Sequence, residues 1–380
     1  MINNYETVVL DKIPFLDLKK QYLQIKYEVL VKVDEVLEST VYSGGKYVEE
    51  FEKDFARYCQ TTYAIGLNNG TSALHLAMLA LGIGKGDEVI IPANTFIATA
   101  WGVTYAGATP VFVDCHPTTW EIDVQKIEEK ITARTKAIIG VHLYGQPFDI
   151  DAVKKIANKY QLYVVEDAAQ AHGALYKGKP VGGFGAMACF SFYPGKNLGT
   201  YGEGGGITTN QTTYYSHLQS LRNHGSNVRY YHDEVGYNMR MGGIEAAVLA
   251  IKLKYLTKWN DRRKQIAGMY QQGIKNNAIT LQEQPDFTQS VYHLFVITTP
   301  EREHLLQYLH KQQIFPGLHY PVPCHLQKAY TDLGYKQGDL PQAEYLSSHC
   351  LSLPMYAELT DGQVERVIDA LNQYICPKNC

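Results

Sequence analysis

From about Ile13 to Tyr255, short apolar runs alternate with stretches whose apolar positions recur at helical spacing. That is the habit of an α/β protein built on a largely parallel sheet. The runs predict seven strands, at 63–67, 88–91, 109–113, 137–141, 163–166, 188–192 and 206–209, with helices at 72–81 and 150–160 among the segments between them. Nine glycines fall in the 25 residues from Gly182 to Gly206. Such a stretch must turn sharply or approach something closely. Beyond it, 244–271 reads as one long helix, and 290–298, 304–312 and 361–373 read as a strand and two helices of a smaller unit. The expected division is a large unit, 13–255, and a small C-terminal one, 256–380.

The run Val89 to Val113 has 25 residues without a formal charge, long enough to span a bilayer. Its two prolines, Asn94 and four threonines speak against a lipid-facing helix, whose freed backbone groups would find no partner. Strand, loop, short helix and strand fit it better, and no membrane partner is expected.

Charge narrows the field further. Thirty-five Lys and Arg balance 38 Asp and Glu, so the chain lacks the basic footprint of a nucleic-acid binder, although a small nucleotide in a pocket stays open. The seven cysteines are scattered and never spaced C-x-x-C, which points to neither a disulfide framework nor zinc. Reduced thiols in a cytoplasmic protein are the expectation. The first fifteen residues lack the basic and then apolar pattern of a secretory signal. Thirteen histidines without an H-E-x-x-H arrangement imply no metal.

Three local features carry candidate chemistry. The strand ending in Glu166-Asp167 brings Asp167 and Gln170 to the edge where open α/β sheets gather ligands; capping of a following helix is the competing use for Asp167. Lys196, twenty-nine residues on, shares the glycine-rich stretch with only one other charge, Glu203. A desolvated lysine is the better amine nucleophile, whereas a lysine on a surface loop is the plainer reading. The turn Asn69-Gly70-Thr71-Ser72 opens a helix and can hold a phosphate on its free N–H groups, or simply cap that helix. A phosphate cradle, an acid for a pyridinium N–H and a Schiff-base lysine are together what pyridoxal phosphate asks of a protein. Two rival motifs fail on context. Gly183 to Ala188 matches G-x-G-x-x-A but leads into a strand-like run, and Gly195-Lys196 lacks the earlier glycine of a P-loop.

These motifs, in this order, resemble the DegT/DnrJ/StrS family of nucleotide-sugar aminotransferases, from Ile13-Pro14-Phe15-Leu16-Asp17-Leu18 to Leu353-Pro354-Met355-Tyr356. The resemblance implies the type I, or aspartate aminotransferase, fold: a large domain with a mostly parallel seven-stranded sheet and a smaller C-terminal α/β domain. It implies pyridoxal 5'-phosphate bound to Lys196, Asp167 at the pyridine nitrogen, Gln170 at the ring hydroxyl side and Phe96 stacked on the ring. Gly70, Thr71, Ser72 and Ser191 stand for the phosphate ligands. Asn238 stands for a phosphate contact from the other subunit of a homodimer with shared active sites. Tyr193, His319, Tyr320 and His325 are candidates for sugar contact. Arg222 and Arg240 suit an anion or a plain salt bridge equally.

The implied reaction is a ping-pong transfer from L-glutamate, passing through pyridoxamine phosphate, to a keto sugar nucleotide. Lys196 favours this branch over related dehydratases, which carry histidine there. Tyr193-Pro194-Gly195 looks like the enzymes that aminate C-3 of dTDP-3-keto-6-deoxyhexoses; a C-4 enzyme acting on a dTDP- or UDP-linked sugar is the alternative. A regulatory protein of the same fold without turnover is the alternative of another class.

Overall fold

The structure, a computed structural model, describes residues 11–377. Most of the N-terminal segment read for a targeting signal, and Cys380, lie outside the described residues. In chain order the protein forms α1 (Leu18–Ser39), α2 (Lys46–Tyr58), β1 (Tyr63–Leu67), α3 (Gly70–Ala80), β2 (Glu88–Pro92), α4 (Ala98–Tyr105) and β3 (Thr109–Val113). There follow β4 (Thr135–Val141), α5 (Ile150–Tyr160), β5 (Tyr163–Asp167), the hairpin β6 (Leu175–Tyr176) and β7 (Lys179–Pro180), β8 (Met187–Ser191), β9 (Gly205–Thr209), α6 (Thr212–Arg222) and α7 (Gly243–Gly273). The rest comprises β10 (Thr280–Leu281), β11 (Thr288–Gln289), β12 (Phe295–Thr298), α8 (Arg302–Lys311), α9 (Pro341–His349), β13 (Cys350–Leu353) and α10 (Asp361–Gln373).

The seven strands expected from the apolar runs make one sheet, ordered β1-β9-β8-β5-β4-β2-β3, in which only β9 runs against its neighbours. Both faces are covered, so the strands read as continuous apolar runs. In β4, Ala137, Ile139 and Val141 face one core while Ile138 faces the other. The same alternation splits Val89 and Ile91 from Ile90 in β2. The charge-free run 89–113 is therefore β2, α4 and β3, with both strands in the sheet and only part of the connection between them exposed. Among the described residues no helix is long and apolar enough to cross a membrane.

Parallel strands end on one edge. That places 68–70, 93–96, 142–144, 167–170 and 191–196 side by side, from segments far apart in the chain.

A smaller antiparallel sheet, β10-β12-β13, gathers a second core that includes Ile13, Ile266, Tyr270, Ile297, Leu351 and Val367. α7 runs unbroken past Tyr255; Leu249 and Leu256 pack with the large sheet, and Ile266 and Tyr270 with the small one. The division into 13–255 and 256–380 stays a proposal in which one helix serves both units. The strand expected over 290–298 is shorter than its pattern. Only 295–298 pairs in the sheet, because Val291 and Leu294 donate instead to the carbonyls of Gly145 and Tyr144 (3.1 and 3.2 Å).

Candidate active site

Asp167 ends β5 and is buried. No helix follows it, so it caps none. Its Oδ1 accepts the N–H of Ala169 (3.1 Å), and its Oδ2 accepts the hydroxyl of Thr99 (2.7 Å), which is itself in contact with Thr95 Oγ1 (2.8 Å). Burial pushes its carboxyl pKa up, while the Thr99 hydroxyl, the Ala169 N–H and the charge of Lys196 oppose the shift. Thr95 and Thr99 give the polar residues of the charge-free run a purpose that the sequence did not reveal. Their signal was a hydroxyl one helical turn beyond Phe96.

Glu166, one residue earlier, points to the other face and does structural work. It accepts the N–H groups of Gly182, Phe184 and Gly185 (2.8 to 2.9 Å) and pairs with His142 at 3.1 Å, both side chains fully buried. Burial alone would raise its pKa, but His142 and these backbone donors hold it below the usual value. The glycine-rich turn that mimics a dinucleotide motif is thus filled by the protein's own carboxylate.

Lys196 lies in a turn closed by its N–H to the carbonyl of Tyr193 (2.9 Å). Among the described residues its amine has no hydrogen-bond partner. Burial lowers its pKa to about 8, against the opposing pull of Asp167. The next turn is held by α7: Lys252 donates to the carbonyl of Gly199 (2.6 Å), and Thr200 Oγ1 to that of Glu245 (3.2 Å).

The start of α3 packs directly on the end of β8. A Cβ on Gly70 would stand 2.7 Å from Ser191 Cβ, and one on Gly205 would stand 2.2 Å from the Asn69 carbonyl. Only glycine permits that approach. Asn69 caps α3 by accepting the N–H of Ser72 (2.8 Å), so that one donor is spent within the chain. Gly70, Thr71 and Ser191 are the partly exposed members of the cradle. Asn238 is exposed, bridged to Asn223, and immediately precedes Met239, whose carbonyl accepts Asn68 N–H (3.1 Å).

Gln170 is pinned at both ends, accepting the N–H of Tyr144 (2.6 Å) and donating to Tyr320 Oη (3.0 Å). Phe96 lies 5.5 Å from the Tyr320 ring, centroid to centroid, and is 49% exposed, so much of its ring is uncovered. Tyr193 is exposed, and its N–H donates to Ser191 Oγ (3.4 Å). His319 contacts Ser352 Oγ (2.8 Å) and stacks on Phe15; burial and the charge of Lys196 lower its pKa to about 4.

His325 does not join this group. It is 1% exposed, contacts Glu344 (3.1 Å) and packs beside Phe112 and Tyr335. Arg222 likewise pairs with Glu52 and donates to the Gly66 carbonyl (2.8 Å). Arg240 donates to Asn223 Oδ1 (2.8 Å) at the rim of a cavity of about 460 Å³.

An unpartnered amine, an aromatic ring with an open face, a helix start backed by a serine and a buried carboxylate held from two sides suit a flat, anionic aldehyde with a basic ring nitrogen. Residues 23–372 match the profile of the DegT/DnrJ/EryC1/StrS aminotransferase family. A dTDP-3-amino-3,6-dideoxy-alpha-D-galactopyranose transaminase from Aneurinibacillus thermoaerophilus is 48% identical over 362 residues, 95% of this chain and 99% of its own. The crystal structure of S. venezuelae DesV, in complex with a ketimine intermediate, superposes with a TM-score of 0.93 at 44% identity, covering 95% of this chain and 98% of its own. NtdA from Bacillus subtilis, with bound cofactor PMP, superposes at 0.88 and 33% identity, over 95% of this chain and 84% of its own. Profile, relatives and fold agree, and the chain belongs to the DegT/DnrJ/EryC1/StrS aminotransferase family.

Proposed function

We propose that the protein is a pyridoxal-phosphate-dependent transaminase that moves the amino group of L-glutamate to C-3 of a dTDP-3-keto-6-deoxyhexose. The products are a dTDP-3-amino-3,6-dideoxyhexose and 2-oxoglutarate. The observation that carries this reading is Lys196, an amine held near pKa 8 that has no hydrogen-bond partner among the described residues and feels the charge of the buried Asp167 at the sheet edge. The C-3 assignment leans on the relative from Aneurinibacillus thermoaerophilus and on Tyr193-Pro194-Gly195. A protein that only sensed a ligand would have no use for such an amine.

When bound, the cofactor supplies an electron sink for the carbanion formed at the donor's α-carbon. Gly70, Thr71 and Ser191 would hold its phosphate, Phe96 one ring face and Gln170 the ring hydroxyl side. Asp167 is the acceptor for a proton on the ring nitrogen, and Thr99 and Ala169 fix where its oxygens point. Lys196, as a neutral amine, takes the proton from the donor's α-carbon and holds it for return. Tyr193, His319 and Tyr320 line the approach for the sugar.

The working unit is proposed to be a homodimer in which Asn238 of each copy reaches the other's phosphate site. Leu23, Tyr27 and Leu30 on α1 and Val228, Tyr230 and Tyr231 ahead of Asn238 leave apolar surface exposed, of the kind that marks contact sites.

Pyridoxal phosphate should turn the purified protein yellow, and glutamate should bleach that absorbance. A colourless protein, or a yellow one indifferent to glutamate, overturns the reading. With glutamate and a panel of 3-keto and 4-keto sugars linked to dTDP, UDP and GDP, amination at C-4 alone would overturn the regiochemistry.

A further inference from the structure

Just past the end of β4, Tyr144 takes a left-handed backbone conformation, φ +61°, which is uncommon for a residue with a side chain and costs free energy. Its side chain is 1% exposed, with the ring edge-on to Trp120 at 6.5 Å between centroids. A buried phenol needs a hydrogen-bond partner. Here that partner is the carbonyl of His319, 175 residues away, to which the hydroxyl donates over 2.6 Å. Burial holds the phenol pKa well above its usual value, so the donor stays protonated.

The N–H of the same residue meets Gln170 at 2.6 Å. An N–H can only donate, so the amide atom facing it is Oε1, and Nε2 is left to donate to Tyr320 Oη (3.0 Å). A closed circuit results. It runs from the Tyr144 N–H through Gln170 to the Tyr320 side chain, and back through the His319 carbonyl to the Tyr144 hydroxyl. Tyr320 Oη accepts within that circuit, and among the described residues its own proton has no acceptor.

The segment that carries His319 and Tyr320 passes between the two sheets. On the side of the small sheet, Gly317 exchanges both backbone hydrogen bonds with Ser352 in β13 (2.9 and 2.8 Å), and His319 Nδ1 contacts Ser352 Oγ (2.8 Å). On the side of the large sheet, Cys324 donates its N–H to the Ala93 carbonyl (2.8 Å). Between these anchors Pro321 and Pro323 have no N–H to give, which leaves the middle short of backbone ties. Tyr144 and Gln170 supply them from the edge of the large sheet.

We propose that Tyr144 is a positioning residue for the keto-sugar substrate, holding Tyr320 at a fixed place beside Phe96 through its hydroxyl on His319 and its N–H on Gln170. The proposal rests on the substrate class given above. Loss of the hydroxyl weakens binding of the sugar and spares the glutamate half-reaction, because the N–H to Gln170 survives.

Tyr144→Phe is the test, since it keeps the ring and its packing on Trp120. In the cofactor-free full-length chain, amide exchange of a peptide covering 318–322 should quicken about tenfold, with peptides from the large sheet exchanging as in wild type. In the holoenzyme, KM for the keto sugar nucleotide identified by the panel should rise about tenfold, with the rate of glutamate bleaching held within about twofold. A double-mutant cycle separates positioning from general loosening. Tyr144 acts through Tyr320, so Tyr144→Phe should add little to the sugar KM in a Tyr320→Phe background. Unmoved exchange at 318–322, a glutamate half-reaction slowed as much as the sugar half-reaction, or losses that add in the double variant each overturn the proposal. Should Tyr144→Phe not fold, wild-type amides of 318–322 exchanging as fast as those of the exposed segment 228–231 overturn it, as does a sugar KM unchanged in Tyr320→Phe. Failure of the transaminase reading shows separately, as wild-type holoenzyme that glutamate does not bleach, and the exchange measurement needs no cofactor.

Discussion

At the scale of single residues, the site depends on amines and acids displaced from their usual titration. Only a neutral amine attacks an aldehyde, so capture of pyridoxal phosphate by Lys196 should rise through pH about 8, the value to which burial lowers it. An ordinary surface lysine has its midpoint near about 10.4. Stopped-flow absorbance across pH 6 to 10 checks this, and a profile like that of a surface amine would contradict the buried placement. Replacing Lys196 with Ala should slow the glutamate half-reaction by roughly 10²- to 10⁴-fold, the usual weight of a positioned acid–base group. Thr99→Val is subtler. The hydroxyl opposes the upward shift of Asp167, so its loss should move that pKa further up and carry the acid limb of kcat/KM to higher pH, with activity down about tenfold. An acid limb that stays in place would mean Thr99 serves packing alone. Asp167 and Lys196 were legible in the sequence because their chemistry is rare in such surroundings. Thr95 and Thr99 were not, since hydroxyls are common and only their partners make them distinctive.

At the scale of elements, the cradle is a joint between α3, β8 and β9. A Cβ at Gly205 would collide with the backbone of Asn69 and Gly70, and backbone cannot turn aside as the tip of a side chain can. Gly205→Ala should therefore displace the start of α3, weaken pyridoxal phosphate binding and cost about 1 to 3 kcal/mol of stability. Urea unfolding of the cofactor-free chain and a cofactor titration read the two effects separately; unchanged affinity would show that the cradle does not depend on this joint. Strand existence was readable because both faces of the sheet are buried and the runs are apolar throughout. The strand expected over 290–298 came out shorter for a reason no local pattern contains: Val291 and Leu294 bond to the loop after β4.

At the scale of the whole molecule, the decisive question is whether two copies complete each site. If Asn238 serves the partner's cofactor, mixing inactive Lys196→Ala and Asn238→Ala chains should restore about a quarter of wild-type activity, because half of the dimers are hybrids with one intact site. Mixtures as inactive as either parent would show that Asn238 acts within its own chain. Light scattering on the unmixed proteins gives the assembly state independently.

The sequence by itself determined the α/β class, the seven strands, the place of Lys196 and Asp167 and, through the order of its motifs, the family. Those follow from periodicity and from residue types with few other uses. Only the tertiary structure decided that Glu166 fills the glycine-rich turn, that His325 belongs to the core and that Thr99 holds Asp167. Each depends on a hydrogen-bond partner between 16 and 68 residues away along the chain. Hydrogen bonding is short-ranged and directional, so which of many polar residues become chemically special is settled only when the fold brings their partners within about 3 Å.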